Sequence, residues 1–162
     1  LIYPAAKVVL IDPSQPDKLL LIYREVNGTG GYEAAGGRVE VDFQNGTVEN
    51  FETCAVREIK EEVGVDVKIL SYLGSYSFFW DIQKNTCSSC VVFLGEIVGG
   101  KISNVNMDKS EYPHENRWVD IKDILNTKLQ LPIRDNHIGL RGLLIKAANI
   151  IDSIVEQTYL ET

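Results

Sequence analysis

The sequence is short of cysteine, poor in histidine and without a long apolar run. Its 162 residues include only Cys54, Cys87 and Cys90, too few for a disulfide framework and odd in number, so at least one thiol stays free. That excludes the small disulfide-stapled secreted folds and fits a reducing, cytoplasmic setting. The two histidines, His114 and His137, have no partners at metal-ligand spacing, and Cys87-Ser88-Ser89-Cys90 lacks the second pair that a zinc centre requires. No apolar stretch approaches the roughly 18 residues of a membrane span, and the N-terminal run is broken by Pro4 and Lys7. Basic charge is scarce as well. With 16 Lys+Arg against 23 Asp+Glu the net charge is -7, which repels a polyphosphate backbone and makes extended nucleic acid a poor partner. A small anionic molecule can still be held through a metal.

What is present is the profile of a soluble globular domain. Hydrophobic residues make up 44%, enough for one core, and no repeat, low-complexity tract or linker divides residues 1–162, so a single domain is expected. Residues 7–11 and 19–23 are β-rich runs separated by turn formers at 12–17, the pattern of two paired strands. Residues 26–31 hold three glycines and an asparagine and read as a glycine-rich loop ahead of the first helix. That helix is expected over 51–63, where Ala55, Ile59 and Val63 recur at helical spacing and Val56 widens the stripe; Asn50 is its N-cap and Gly64 its stop. Strands are expected over 65–73, 75–81, 90–98 and 117–119, a short helix over 121–125, and an amphipathic helix near the C-terminus from Leu140 to Val155. Strands, helix, strands, helix without regular βαβ alternation points to an α/β/α sandwich around a mixed sheet.

The informative segment is Arg57-Glu58-Ile59-Lys60-Glu61-Glu62-Val63-Gly64-Val65. At about 100° per residue, Glu58, Glu61 and Glu62 share one arc of the helix, away from its apolar stripe. Two such carboxylates at about 6 Å in partly desolvated surroundings repel by roughly 3 kcal/mol. Lys60 points to another side, and no lysine or arginine is expected at pairing distance on the acidic face. Such runs are usually solvated surface; a hard divalent ion is the alternative, and oxygen donors alone favour Mg2+, with Mn2+ second, over zinc.

This segment resembles the Nudix box, G-x5-E-x7-R-E-U-x-E-E-x-G-U with U a bulky aliphatic residue. The match spans approximately 37–65 and is carried by Glu49, Arg57, Glu58, Ile59, Glu61, Glu62, Gly64 and Val65. Glu33-Ala34-Ala35-Gly36-Gly37-Arg38-Val39-Glu40 is similar to the glycine segment that opens it. Gly37 precedes Glu49 by twelve positions where the pattern has six, so about six residues near 41–46 are extra. Lengthening a loop is inexpensive entropically and Asn45-Gly46 can turn the chain, so the insertion should bulge outward and leave Gly37 and Glu49 in place.

The resemblance implies a Nudix-type α/β/α fold and a metal-dependent hydrolase that cleaves a diphosphate bond in a nucleotide-like small molecule. It implies Glu58 and Glu62 as principal metal ligands, with Glu61 and the Gly37 carbonyl completing the sphere or acting through water. Arg57 and Glu49 become structural supports, clamping loop to helix. The general base would be Glu61, Glu62 or a later glutamate, for which Glu115 and Glu111 are the candidates. Arg24, ending the second strand, is the candidate phosphate contact. Tyr32, Phe78, Phe79, Trp80 and Trp118 are candidates to stack on a base, against the ordinary expectation that strand aromatics are core. Homodimers are common among proteins of this resemblance, and a non-catalytic nucleotide-sensing module is the alternative to an enzyme. No subfamily signature for ADP-ribose, diadenosine polyphosphates, coenzyme A or NADH is found, so the substrate stays a nucleoside triphosphate, a nucleotide sugar or a related metabolite.

Overall fold

The computed structural model describes residues 1–103 and 114–162. Among the described residues nine strands and three helices follow in chain order: β1 (Ile2–Ile11), β2 (Lys18–Val26), β3 (Thr29–Glu33), β4 (Ala35–Arg38), β5 (Val41–Asp42), β6 (Thr47–Val48), α1 (Phe51–Glu62), β7 (Val65–Asp81), β8 (Thr86–Gly100), β9 (His114–Asp120), α2 (Ile121–Leu125) and α3 (Leu140–Glu161). The main sheet runs β3-β2-β1-β8-β7, with β4 also paired to β1 and β9 to β2. It is mixed, because β1 and β8 are parallel while its other pairs are antiparallel.

Apolar residues on successive positions of β1 explain the layering. Ala5 and Val9 belong to a core shared with Leu140, Leu144 and Ala147 of α3, whereas Ala6, Val8 and Leu10 join Cys54, Ala55 and Ile59 of α1. A strand buried on both faces needs helices on both sides, which gives the expected α/β/α sandwich around a mixed sheet.

Several local expectations hold and several are corrected. Asn50 caps α1 by accepting the Thr53 amide at 2.7 Å, and Gly64, at φ 87°, ends it. Ala55, Ile59 and Val63 are buried as the stripe requires, but Val56 is 42% exposed and does not widen it. The glycine-rich stretch is no loop: Asn27 and Gly28 both take positive φ and form a tight turn that sends the chain straight into β3. The two strands expected at 65–73 and 75–81 are one bulged strand, β7, with a register shift between Tyr72 and Gly74.

The inserted residues form a hairpin of their own. Val41 pairs with Val48 and Asp42 with Thr47, and the Asp42 carboxylate accepts the Gln44 and Asn45 amides across the tip. All residues from 41 to 48 are exposed. At the base of the hairpin the Glu49 amide donates to the Glu40 carbonyl at 3.0 Å, so the chain leaves and re-enters at one point, as an outward bulge demands.

Candidate active site

α1 presents its acidic residues to the segment Gly36–Gly37 of β4. The Gly36 amide donates to Glu62 Oε2 at 3.0 Å, and Gly37 lies so close to Glu58 that an added Cβ would sit 2.4 Å from the carboxyl carbon. Gly36 has φ 148° and its missing Cβ would strike the Ala6 carbonyl oxygen, so that position tolerates no side chain, whereas one at Gly37 would have to push the Glu58 carboxylate aside. The insertion therefore leaves Gly37 against the acidic helix.

Arg57 locks the two sides together. Its Nε and Nη2 reach Glu49 Oε2 and Oε1, both at 2.8 Å, a bidentate clamp, and its Nη2 also donates to the Arg38 carbonyl at 3.0 Å. The guanidinium holds the Glu49 carboxyl down at about 2. Arg57 also corrects the expectation that the acidic face has no cation within reach: Nη1 donates to Glu58 Oε1 at 3.0 Å and to Glu61 Oε2 at 3.2 Å. Counting helical spacing from the carboxylates misses this, because a long arginine arm spans from the adjoining face to its neighbours at i+1 and i+4. Lys60 does point elsewhere, to Asp66 at 3.1 Å.

Glu58 and Glu62 line a cleft of about 340 Å³ together with Gly36, Gly37, Lys7 and Arg24. Burial, with Glu33 and Glu58 nearby, raises the Glu62 carboxyl to about 7 even though Lys7 and the Gly36 amide oppose it. Burial is also the largest influence raising Glu58. Two partly desolvated carboxylates beside a backbone stripped of side chains form a donor set that fits a hard dication. Among the described residues no three acidic, histidine or cysteine side chains already converge on one point. Glu61 is turned toward Arg57, its side chain more than half exposed.

The cleft also holds a cluster of cations around Glu33, and much of it escaped sequence reasoning. Glu33 is buried, with Arg134 Nη1 at 2.5 Å, Arg24 Nη2 at 3.6 Å and Lys7 Nζ at 3.9 Å. Burial alone would raise this carboxyl, but Lys7, Arg134 and Arg24 bring it down to about 2. Nor does His137 stand alone: its Nδ1 is 2.8 Å from the Tyr76 hydroxyl, its ring lies 3.9 Å from that of Phe78, and its Nε2 is 4.0 Å from Glu33. At the rim, the Arg38 guanidinium sits over the rings of Tyr3 and Trp80, 4.0 and 5.2 Å from their centroids.

The sequence-derived candidates thus divide. Gly37, Glu58, Glu62 and Arg24 share the cleft, Glu49 and Arg57 brace it, and Glu61 faces Arg57 beside it. Glu115 lies apart on β9, paired with Arg117 beside Tyr23 and Glu25 in a separate recess; Glu111 falls outside the described residues. Of the aromatic candidates, Phe78 and Trp80 reach the cleft. Trp118 packs partly against the α1-side core, Tyr32 meets Tyr23 edge-on, and Phe79 is exposed.

The NUDIX domain model matches residues 2–138. The NAD-capped RNA hydrolase NudC of Vibrio atlanticus is 29% identical over 116 residues, covering 72% of this chain and 38% of NudC. YtkD of Bacillus subtilis, provisionally named an 8-oxo-dGTP diphosphatase, is 50% identical over 66 residues, covering 33% of this chain and 38% of YtkD. The aligned region is therefore well under half of either relative's length. A MutT Nudix hydrolase from Burkholderia pseudomallei shares the fold, with TM-score 0.63 at 19% identity over 90% of this chain and 98% of its own. Among the described residues no helix is long and apolar enough to cross a membrane.

Proposed function

The chain belongs to the NUDIX family, and from that membership we propose that it is a divalent-cation-dependent pyrophosphohydrolase. It cleaves a phosphoanhydride bond in a nucleoside triphosphate or a nucleoside diphosphate derivative. The observation that carries the reading is the make-up of the cleft, which brings Glu58 and Glu62 together with Lys7, Arg24 and Arg134. Anionic phosphates are attracted by the cations and need a dication to approach the two carboxylates.

Glu58 and Glu62 would hold the metal, Mg2+ or alternatively Mn2+, with Glu61 and the Gly37 carbonyl contributing directly or through water. When bound, the ion neutralises the diphosphate and lowers the pKa of the attacking water. Arg57 and Glu49 keep β4 and α1 at fixed separation, and Arg24 binds a phosphate oxygen. Water attacks phosphorus in line with the bridging oxygen, which departs with the other phosphate. Glu62, buried in the cleft and accepting the Gly36 amide, is the candidate to accept the water's proton wherever it is not itself a ligand. Glu115, exposed and engaged with Arg117, is the weaker candidate.

The test is a panel of 8-oxo-dGTP, unmodified triphosphates, nucleotide sugars and dinucleotides, incubated with magnesium and resolved by mass spectrometry. We expect magnesium-dependent release of nucleoside monophosphate, abolished by chelator and reduced at least 100-fold in Glu62→Gln. Ligand-induced stabilisation without product would replace the enzyme by a sensor module, and unchanged turnover in Glu62→Gln would remove Glu62 from the chemistry.

A further inference from the structure

Arg134 reaches the cleft from the segment between α2 and α3. That segment is clasped to β3: the Tyr32 amide donates to the Pro132 carbonyl at 2.9 Å and the Arg134 amide to the Tyr32 carbonyl at 3.0 Å, with Tyr32 and Ile133 bridged in parallel. Gly31 makes the approach feasible, since a Cβ there would come 2.4 Å from the Arg134 nitrogen. The backbone of Arg134 is thus fixed before its side chain is considered.

The side chain is held by one edge. Nη1 donates to Glu33 Oε2, and among the described residues Nε and Nη2 have no partner. One quarter of the side chain is exposed, and it lines two cavities at once: the cleft already described and a neighbouring one of about 350 Å³ whose lining includes Asn27, Thr29, Gly30 and Asn136. A planar guanidinium with one edge fixed and the other open is pre-organised for a forked grip on an oxyanion.

We propose that Arg134 is a specificity-determining residue that grips a phosphate oxygen of the substrate at the border of the two cavities, with Glu33 as its positioning residue. The phosphate it holds is bound and not attacked, and the group beyond that phosphate enters the second cavity, whose lining is polar or glycine and suits a hydroxylated moiety such as a ribose. The identity of that phosphate rests on the pyrophosphohydrolase reading.

The test pairs kinetics on the best panel substrate with calorimetric binding of inorganic pyrophosphate in magnesium buffer, which needs no turnover. A charge-assisted contact made equally in ground and transition states predicts that Arg134→Ala raises KM roughly ten- to hundredfold with kcat within about threefold. Pyrophosphate binding should weaken by a similar factor. Arg134→Lys recovers part of the loss, since it restores the charge without the fork, and the KM increases of Glu33→Gln and Arg134→Ala combine less than multiplicatively, the remainder of the Glu33→Gln effect acting through Arg24. Arg134→Gln, which keeps a planar amide against Glu33, is the second variant, and circular dichroism checks that each protein folds. Unchanged KM and pyrophosphate affinity in Arg134→Gln, a loss confined to kcat, or no pyrophosphate binding by the wild type overturns the proposal. Weakened pyrophosphate binding in the variants, with no panel compound hydrolysed by the wild type, would instead sustain the anion grip and reject the hydrolase.

Discussion

Replacing Glu33 by glutamine should destabilise the protein by about 3 kcal/mol at pH 7. The carboxyl is buried, and Lys7, Arg134 and Arg24 overcome the effect of burial to bring it from an ordinary 4.5 down to about 2. At about 1.4 kcal/mol per tenfold change in proton affinity, that drop corresponds to about 3 kcal/mol of preference for the ionised side chain in the folded protein. Glutamine mimics the protonated acid in size and keeps an acceptor toward Arg134, so the loss is electrostatic and not a packing defect. For a domain of this size the melting temperature should fall by roughly 6–12 °C. The folded protein binds fewer protons at Glu33 than the unfolded chain, so the contribution is complete above pH 4.5 and disappears as pH falls toward 2. The gap between wild type and Glu33→Gln should therefore be level from pH 8 to 5 and narrow below 4.5. His137, lowered chiefly by burial to about 3 and held up in part by Glu33, stays neutral in both folded proteins above about pH 4, so the plateau from pH 8 to 5 is free of it. Urea unfolding followed by circular dichroism at each pH measures the gap. A difference below about 0.5 kcal/mol at pH 7, or one that widens in acid, would refute the reasoning.

Glu62→Gln should do the opposite. Burial raises Glu62 from 4.5 to about 7, so the folded protein binds more protons there than the unfolded chain, and stability in chelator should decline between pH 4.5 and 7. Glutamine removes that decline, raising stability at pH 8 by up to about 3 kcal/mol, and it also removes the thermal shift produced by magnesium. A variant less stable than wild type in chelator would contradict this. Deleting residues 41–46 restores the usual Nudix spacing; because Glu40 and Glu49 already meet at the hairpin base, melting temperature should move by less than about 3 °C and magnesium-dependent turnover by less than about twofold. A tenfold loss of turnover would give the hairpin a part in the reaction.

The readable parts of this chain are those whose signals are local. α1 announces itself through Asn50, its buried stripe and Gly64, all within 15 residues, and the insertion through Asn45-Gly46 between two points of a fixed pattern. The cation cluster around Glu33 is different in kind. Lys7, Glu33, Arg134 and His137 meet from β1, β3 and the segment between α2 and α3, with 101 positions between Arg134 and Glu33, and no periodicity links them. One signal was available: Lys7 interrupts the apolar residues of β1 on the face shared by Ala5 and Val9, and a buried strand seldom carries a lysine without a buried carboxylate to meet it. That anomaly calls for a partner without naming Glu33. Likewise β7 reads as two strands because Gly74 breaks the apolar pattern; only the ladder to β8 shows that the interruption is a bulge.

Two glutamates on one cleft are driven in opposite directions, and the cause distinguishes their work. Burial raises both carboxyls, and Lys7 lowers both. Glu33 alone gains Arg134 and Arg24 directly, so it stays ionised down to about pH 2 and serves as a fixed anion that sets the position of its arginines. Glu62 has a backbone amide and a shared lysine, which leaves it poised near neutrality, able either to hold a dication as a carboxylate or to accept a proton. Carrying Arg134 into contact with Glu62 would abolish that balance, because a guanidinium in direct contact would fix Glu62 in the ionised form. That Arg24 and Arg134 engage Glu33 and not Glu62 is thus as much a condition of the proposed chemistry as the glutamates themselves.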